Sequence, residues 1–360
     1  MLEVGPGKTY AKPSAAAAVA MSGDTIHIAA GDYRGDAATW SAPNLTLCGM
    51  GGRARLFADG AQSQGKGLWV LSMPASATTT IINVEFHDTK VPDQNGAGIR
   101  LDGGNLVLRN TGFYDNENGI LGCDGPTTVT IENSEFARNG YGDGYTHNIY
   151  IDGINRLNVR SSFFHEAKIG HNLKSRAKEN YIETSYFMDG PTGTSSYLLD
   201  FPDGGVVFMR GNLLQKGPNA DNSISVSYGA ERNMWTANTV TLIHNTLATT
   251  RGAGTFISVA GYTQSLTLTA NLFAGNSTLS TGVSGAKLIS QNNVSTAITN
   301  LSGADNIAAP NFWPVASVLP ALQLSSVPDV NYLYDAPQPY VLRSLSAITG
   351  RRVGALQAQP

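Results

Sequence analysis

Along most of the chain, apolar residues recur in short clusters rather than at helical spacing. "NVEF" (83–86), "NTGF" (110–113) and "NSEF" (133–136) place an Asn three residues before a Phe. "SSFF" (161–164) and "TSYF" (184–187) continue the series without the Asn. "GNLL" (211–214), "HNTL" (244–247) and "ANLF" (270–273) resume it with the Asn one place later. The anchors Phe86, Phe113, Phe136, Phe164, Phe187, Leu214, Leu247 and Phe273 are spaced 23 to 33 residues apart. A second set of segments lies between them: "GIRLDG", "GILGCDG", "NIYIDG", "NLKSRA", "SYLLDF" and "SISVSY". Most of these alternate apolar and polar residues with period two, the mark of a strand with one buried side.

A repeat in the twenties and thirties built from short strands and Gly/Asn turns predicts a solenoid. Leucine-rich and helical repeats need apolar residues at helical spacing, and these segments lack it. The expected fold is all-β: a right-handed parallel β-helix over residues 1–305, each coil giving about three short strands. The Ala-rich stretch at 13–21 is expected to form a short N-terminal capping helix, because an uncovered sheet end invites association. After about residue 305 the repeat fades, and 306–360 is expected to be an irregular, Pro-rich tail packed on the helix.

Registering the second strand set by its inward positions gives Ile99, Ile120, Ile149, Leu173, Tyr197 and Ile224. Residues one and three places on then point outward. The first outward column reads Arg100, Leu121, Tyr150, Lys174, Leu198, Ser225. The second reads Asp102, Cys123, Asp152, Arg176, Asp200, Ser227. Coils stack about 4.8 Å apart, so Arg176 is expected between Asp152 and Asp200, with Tyr150 one coil from Lys174. Asn148 and Asn172 stack on the same face, and His147 and His171 stack at the strand entrance; either pair is also compatible with a structural turn ladder. Asp203 and Glu231 lie just past their strands. The Asp–Arg–Asp column is also compatible with a plain cross-strand charge ladder worth about 0.2–1 kcal/mol per pair. His165 and His244, alone in turns, read as structural.

Composition narrows the partners. The chain of 360 residues has a net charge of −3 and only 14% charged residues. With no basic run, nucleic acid is not expected as a partner. No apolar stretch reaches the roughly 18–20 residues of a membrane span. Cys48 and Cys123 alone make neither a disulfide framework nor a zinc site. The opening "MLEVGPGKTY" lacks the features of a signal peptide; a secreted or periplasmic location would require that the signal had been removed.

A long face on a rigid β-helix suits an extended polymer, and a Lys beside an Arg suits β-elimination on a uronic acid polysaccharide. Neutralising the substrate carboxylate lets an enolate-like transition state form. A base of depressed pKa then removes the C5 proton. The guanidinium of Arg176 is expected to push Lys174 toward its neutral form, and Tyr150 or His171 to protonate the leaving oxygen. Asp200 completes the expected catalytic group. Arg100, Tyr145, His147, Asn148, Asn172, Tyr197, Asp203, Tyr228 and Glu231 are the expected substrate-binding residues. Asp152, Asp200 and Glu231 offer oxygen ligands for Ca²⁺, which would bridge the substrate carboxylate. A glycoside hydrolase using a carboxyl pair that includes Asp200 is the alternative enzyme. A C5-epimerase, sharing the proton abstraction, and a non-catalytic polysaccharide-binding or export protein also remain open.

"VGPGKTY…GDTIHIAAGDYRG", the N-x-x-F coils and the closing "GRRVGALQ" resemble the pectin-lyase-like superfamily of right-handed parallel β-helix proteins. "LKSRAKENYIETSYF" is similar to the corresponding module of the alginate lyase and chondroitinase B type lyases. That resemblance implies Lys174 as the base. Those lyases carry an arginine on the next coil, where this chain has Asp200.

Overall fold

The computed structural model describes residues 1–283, 287–324, 333–335, 338–343 and 351–356. The fold is a right-handed parallel β-solenoid, and it divides into two compact units. One comprises Met1–Asn158 with Ala167–Ala177; the other comprises Val159–Glu166 with Lys178–Pro360.

In the first unit the predicted anchors stack as drawn. Leu56 pairs with Phe86, Phe86 with Phe113, and Phe113 with Phe136. The three Phe rings lie parallel at 4.9 and 4.5 Å and are fully buried. The Asn of each N-x-x-F sequence explains the pattern. Asn83, Asn110 and Asn133 adopt φ of 57°, 52° and 50°. This left-handed corner turns the chain between strands, and Asn tolerates it better than most residues. Ile99, Ile120 and Ile149 pair in register, and Tyr150 pairs with Lys174. All three Ile side chains and Leu173 are buried, so the inward stack is as expected through this unit. The N-terminal helix is shorter than the 13–21 stretch: it runs Pro13–Ala17 and packs on the strands Leu2–Val4 and Ala38–Trp40. Pro13 sits in its first turn, where a missing N–H costs nothing. The Ser14 side chain and N–H bind Asp36.

In the second unit Phe164 stacks on Phe187, and the row continues through Leu214, Leu247 and Phe273. Ser161, Thr184 and His244 take the left-handed corner here. The Asn displaced by one place has a different duty. The Asn212 amide donates to Asn245, Asn245 to Asn271 and Asn271 to Asn293, at 2.9, 3.0 and 3.0 Å. Asn212, Asn245 and Asn271 are fully buried, so the ladder satisfies backbone and side-chain groups inside the turn.

Tyr197 departs from the expected inward stack. The strand is Leu199–Phe201, Leu199 and Phe201 point inward, and Tyr197 precedes it, half-buried. The inward parity of 197, 199 and 201 survives; only the strand begins later. Ile224 is likewise only half-buried, with Val226 and Tyr228 carrying the core. Leu301, Phe312, Trp313, Leu322 and Val353–Leu356 pack against Tyr186, Met188, Leu213 and Leu272. Much of the expected tail, including 325–332 and 344–350, lies outside the described residues.

Candidate active site

The strand Leu173–Ser175 turns Leu173 and Ser175 inward and leaves Lys174 half-exposed; Arg176 follows, also half-exposed. The Arg176 backbone N–H donates to the Ile151 carbonyl at 2.9 Å, extending the ladder one step past the strand. Both cations converge on Tyr150. The Lys174 Nζ lies 5.8 Å and the Arg176 Cζ 5.7 Å from the Tyr150 ring centroid. The Arg176 Nε donates to the Tyr150 Oη at 2.8 Å. With a guanidinium on its oxygen, the phenol keeps its proton for another acceptor.

His147 and His171 stack with ring centroids 4.6 Å apart, and His147 meets the Tyr150 ring edge-on at 5.8 Å. The His171 backbone N–H donates to His147 Nδ1 at 3.0 Å. That bond requires an unprotonated Nδ1, which fixes the proton of a neutral His147 on Nε2. Further along the columns of the same unit, Arg100 Nε donates to Asp102 at 2.9 Å, and Lys66 also binds Asp102. Burial raises the Asp102 pKa, but Lys66 and Arg100 outweigh it and hold the carboxyl below its usual range. Asp152 accepts the N–H of Gly153 at 2.9 Å and so caps its own turn.

Two expected binding residues are spent on the fold. Asn148 and Asn172 have no exposed surface. The Asn116 amide donates to Asn139, Asn139 to Asn148 and Asn148 to Asn172, at 2.9, 2.8 and 2.7 Å. This buried ladder turns them away from the open face. Tyr145, by contrast, is 84% exposed on the loop before His147.

The second unit carries the remaining expected residues, and it covers Asp200, Asp203 and Tyr228. Asp200 is 2% exposed. Tyr228 is buried, its Oη donating to the Gly205 carbonyl at 2.6 Å, so it serves the core and is not a substrate platform. Asp203 is fully buried and paired with Arg232 at 2.7 Å. Backbone N–H groups of Glu231 and Arg232 bind the Pro202 carbonyl, folding that loop back on the strand end. Glu231 itself is exposed. Burial, then the negative charge of Asp200 and that of Glu231, raise the Tyr197 phenol; hydrogen bonds with Asn222 and Ser227 oppose them. Tyr197, Asp200 and Glu231 thus share one neighbourhood.

Among the described residues no three His, Cys, Asp or Glu side chains gather as metal ligands, which leaves the Ca²⁺ site expected from Asp152, Asp200 and Glu231 without support. Asp152 is committed to its turn, Asp200 is covered and Glu231 faces solvent. Residues missed by the sequence reading include Lys66, whose ammonium reaches Asp102, and Arg232, which holds Asp203. Each partner is about one coil away, and that spacing was the available signal.

No family model and no curated protein matches the chain. Solved structures do. Pectate lyase Pel9A matches with a TM-score of 0.52 and 14% identity, over 96% of this chain and 90% of that one. The fold is that of the pectin-lyase-like β-helix proteins. The ORF18 protein of Geobacillus virus E2 is similar at a TM-score of 0.44 and 13% identity; the match covers 78% of this chain and 56% of that one. The alginate lyase AlyGC of the PL6 family is similar at a TM-score of 0.27 and 11% identity, over 84% of this chain and 54% of its own. A pectin-lyase-like coil presents outward side chains at fixed spacing on a rigid support, which is how Tyr150, Lys174 and Arg176 come together. Among the described residues no helix is long and apolar enough to cross a membrane.

Proposed function

We propose that this protein is a polysaccharide lyase that cleaves a uronic-acid-containing chain by β-elimination, with Lys174 as the base. The observation that carries the reading is the Tyr150–Lys174–Arg176 cluster, half-open on one face, with both cations on one ring and the guanidinium bonded to the phenol oxygen. Each part answers a need of the reaction. The C5 proton is weakly acidic, so the substrate carboxylate must be neutralised as charge develops; Arg176 supplies a fixed positive charge for that. The Lys174 amine accepts the proton. Tyr150 gives its proton to the departing O4, its oxygen steadied by the Arg176 hydrogen bond as negative charge grows on it. His171, 7% exposed and stacked on the buried His147, is the less accessible candidate donor, and Arg100 and Tyr145 line the path of the polymer. The match to a pectate lyase fold supports a polysaccharide as substrate, and a secreted or periplasmic setting would suit such a substrate.

A second reading keeps a specific observation. Tyr197 sits in the field of both Asp200 and Glu231, so a hydrolase would draw its carboxyl pair from there. It must expose an Asp200 that is almost wholly covered. The test is a screen of uronate polysaccharides for the ultraviolet absorbance of a new C4=C5 double bond. Chain cleavage without that absorbance would support the hydrolase. Inversion at C5 without cleavage would support an epimerase.

A further inference from the structure

The turns that lead into the strands Ala97–Leu101, Asn118–Gly122, Ile149–Ile151 and Leu173–Ser175 line a half-open polar cavity of about 430 Å³, within the range of small-ligand sites. Asp88, Lys90, Asp115, Glu117, Tyr141 and Lys168 line it. None of them belongs to the Tyr150–Lys174–Arg176 cluster.

The cavity is built rather than incidental. Gly140 has φ of 128°, and a Cβ there would come within 2.7 Å of the Lys168 carbonyl oxygen. Only glycine lets the turn that holds Gly140 approach the turn that holds Lys168 so closely. The Gly140 N–H binds the Asn116 carbonyl and the Lys168 N–H the Asn139 carbonyl, each at 2.9 Å. Glu117, 5% exposed, fixes the far wall: its Oε2 accepts the N–H groups of Val91 and Gly96 at 3.0 and 2.7 Å. The "GYGDGYT" loop is stapled above. The Tyr141 N–H donates to Thr146 Oγ1 at 2.7 Å, and Thr146 Oγ1 donates to Asp143 at 3.3 Å. This holds the Tyr141 ring half in solvent, 49% exposed, at the cavity edge.

The lining mixes three carboxylates with two ammonium groups. Asp115 is already engaged by Arg138 at 2.8 Å and by Lys168 at 3.5 Å. No single sign dominates, so a phosphate or a polyanion is a poor fit. Interspersed donors and acceptors beside one flat aromatic face suit the hydroxyls of a pyranose, each of which donates and accepts.

We propose that this cavity is a second glycan subsite, separate from the Lys174 cluster, that takes a neutral glycosyl residue with Tyr141 as its stacking platform. Joined to the lyase reading, on which this extension rests, it makes the substrate a heteropolysaccharide in which neutral sugars accompany the uronic acid. The test is calorimetric titration of the full chain with neutral cello-, xylo- and manno-oligosaccharides and with oligogalacturonate. At least one neutral probe is expected to bind. Tyr141→Ala should weaken it about tenfold, Lys90→Ala should weaken it less, and Lys174→Ala should leave it within about twofold. Circular dichroism confirms that the loop variants are folded. Equal binding by wild type, Tyr141→Ala and Lys90→Ala overturns the subsite, as does the absence of binding to every neutral probe at millimolar concentration. A Tyr141-dependent affinity without any unsaturated product would sink the lyase reading and leave the subsite standing.

Discussion

Two strand lysines show how differently the two units use the same side chain. Lys174, in the first, is half-exposed beside a tyrosine ring. Lys216, in the second, is 1% exposed. Its ammonium donates to the carbonyls of Ser195 and Ser196 at 3.0 and 2.6 Å and lies 3.5 Å from Asp189, itself fully buried. Asp189 also binds the Ser195 hydroxyl and the Gly217 N–H. Burial lowers the Lys216 pKa, against the pull of Asp189. One lysine secures the turn that leads to Tyr197; the other leaves its amine partly open to solvent beside the Tyr150 ring. A charged residue in a β-helix strand therefore signals chemistry only where its surroundings stay open.

The contrast can be broken by mutation. Lys216→Ala is expected to have the largest effect on stability, about 3–5 kcal/mol, because Asp189 is left buried without its cation. Chemical denaturation measures it; a loss below about 1 kcal/mol would show that Lys216 is not the lock described. Next comes Arg176→Ala, expected to cut turnover about a hundredfold, since it removes a fixed charge and releases the Tyr150 oxygen. Arg176→Lys should recover little of this, as an ammonium lacks the planar fork. Tyr228→Phe should cost about 1 kcal/mol, one buried hydrogen bond, with turnover unchanged. A large loss of turnover there would return Tyr228 to the substrate face.

The smallest expected effect is on pH. Asp102 has a folded pKa below its unfolded value. Its contribution to stability is present above the unfolded carboxylate range, about 4, and fades as pH falls through the folded pKa. Asp102→Asn should therefore narrow the stability gap between pH 7 and pH 3. A gap unchanged by the substitution would remove Asp102 from the set of groups that matter.

The residues that stack every coil were plain in the sequence. Phe86, Phe113 and Phe136 recur because each must fill the same interior layer, and alternation around Ile99, Ile120 and Ile149 assigned the inward side. The same parity brought Tyr150, Lys174 and Arg176 onto one face. Alternation says which side of a strand a residue occupies, but not whether that side is covered. Asp200 and Tyr228 show this: both are buried, and the Gly205 carbonyl that takes the Tyr228 hydroxyl comes from a chain segment beyond its strand. For Asn148 and Asn172 the sequence left two readings open, because an amide ladder inside a turn has the same one-coil spacing as a pair on an open face; the buried ladder is the one the structure shows. Lys216 was overlooked because a lone Lys at a strand end reads as solvated, and its partner Asp189 lies a coil earlier.

The most direct measurement follows absorbance of the unsaturated product on a panel of uronate polysaccharides, with wild type and Lys174→Ala side by side. Wild type should generate the double bond on at least one polymer. Lys174→Ala should lose about a thousandfold in rate while its denaturation curve shifts by no more than about 0.5 kcal/mol. Wild-type turnover in Lys174→Ala, particularly if Asp200→Asn is inactive, would contradict a lysine base and transfer the chemistry to the carboxylates.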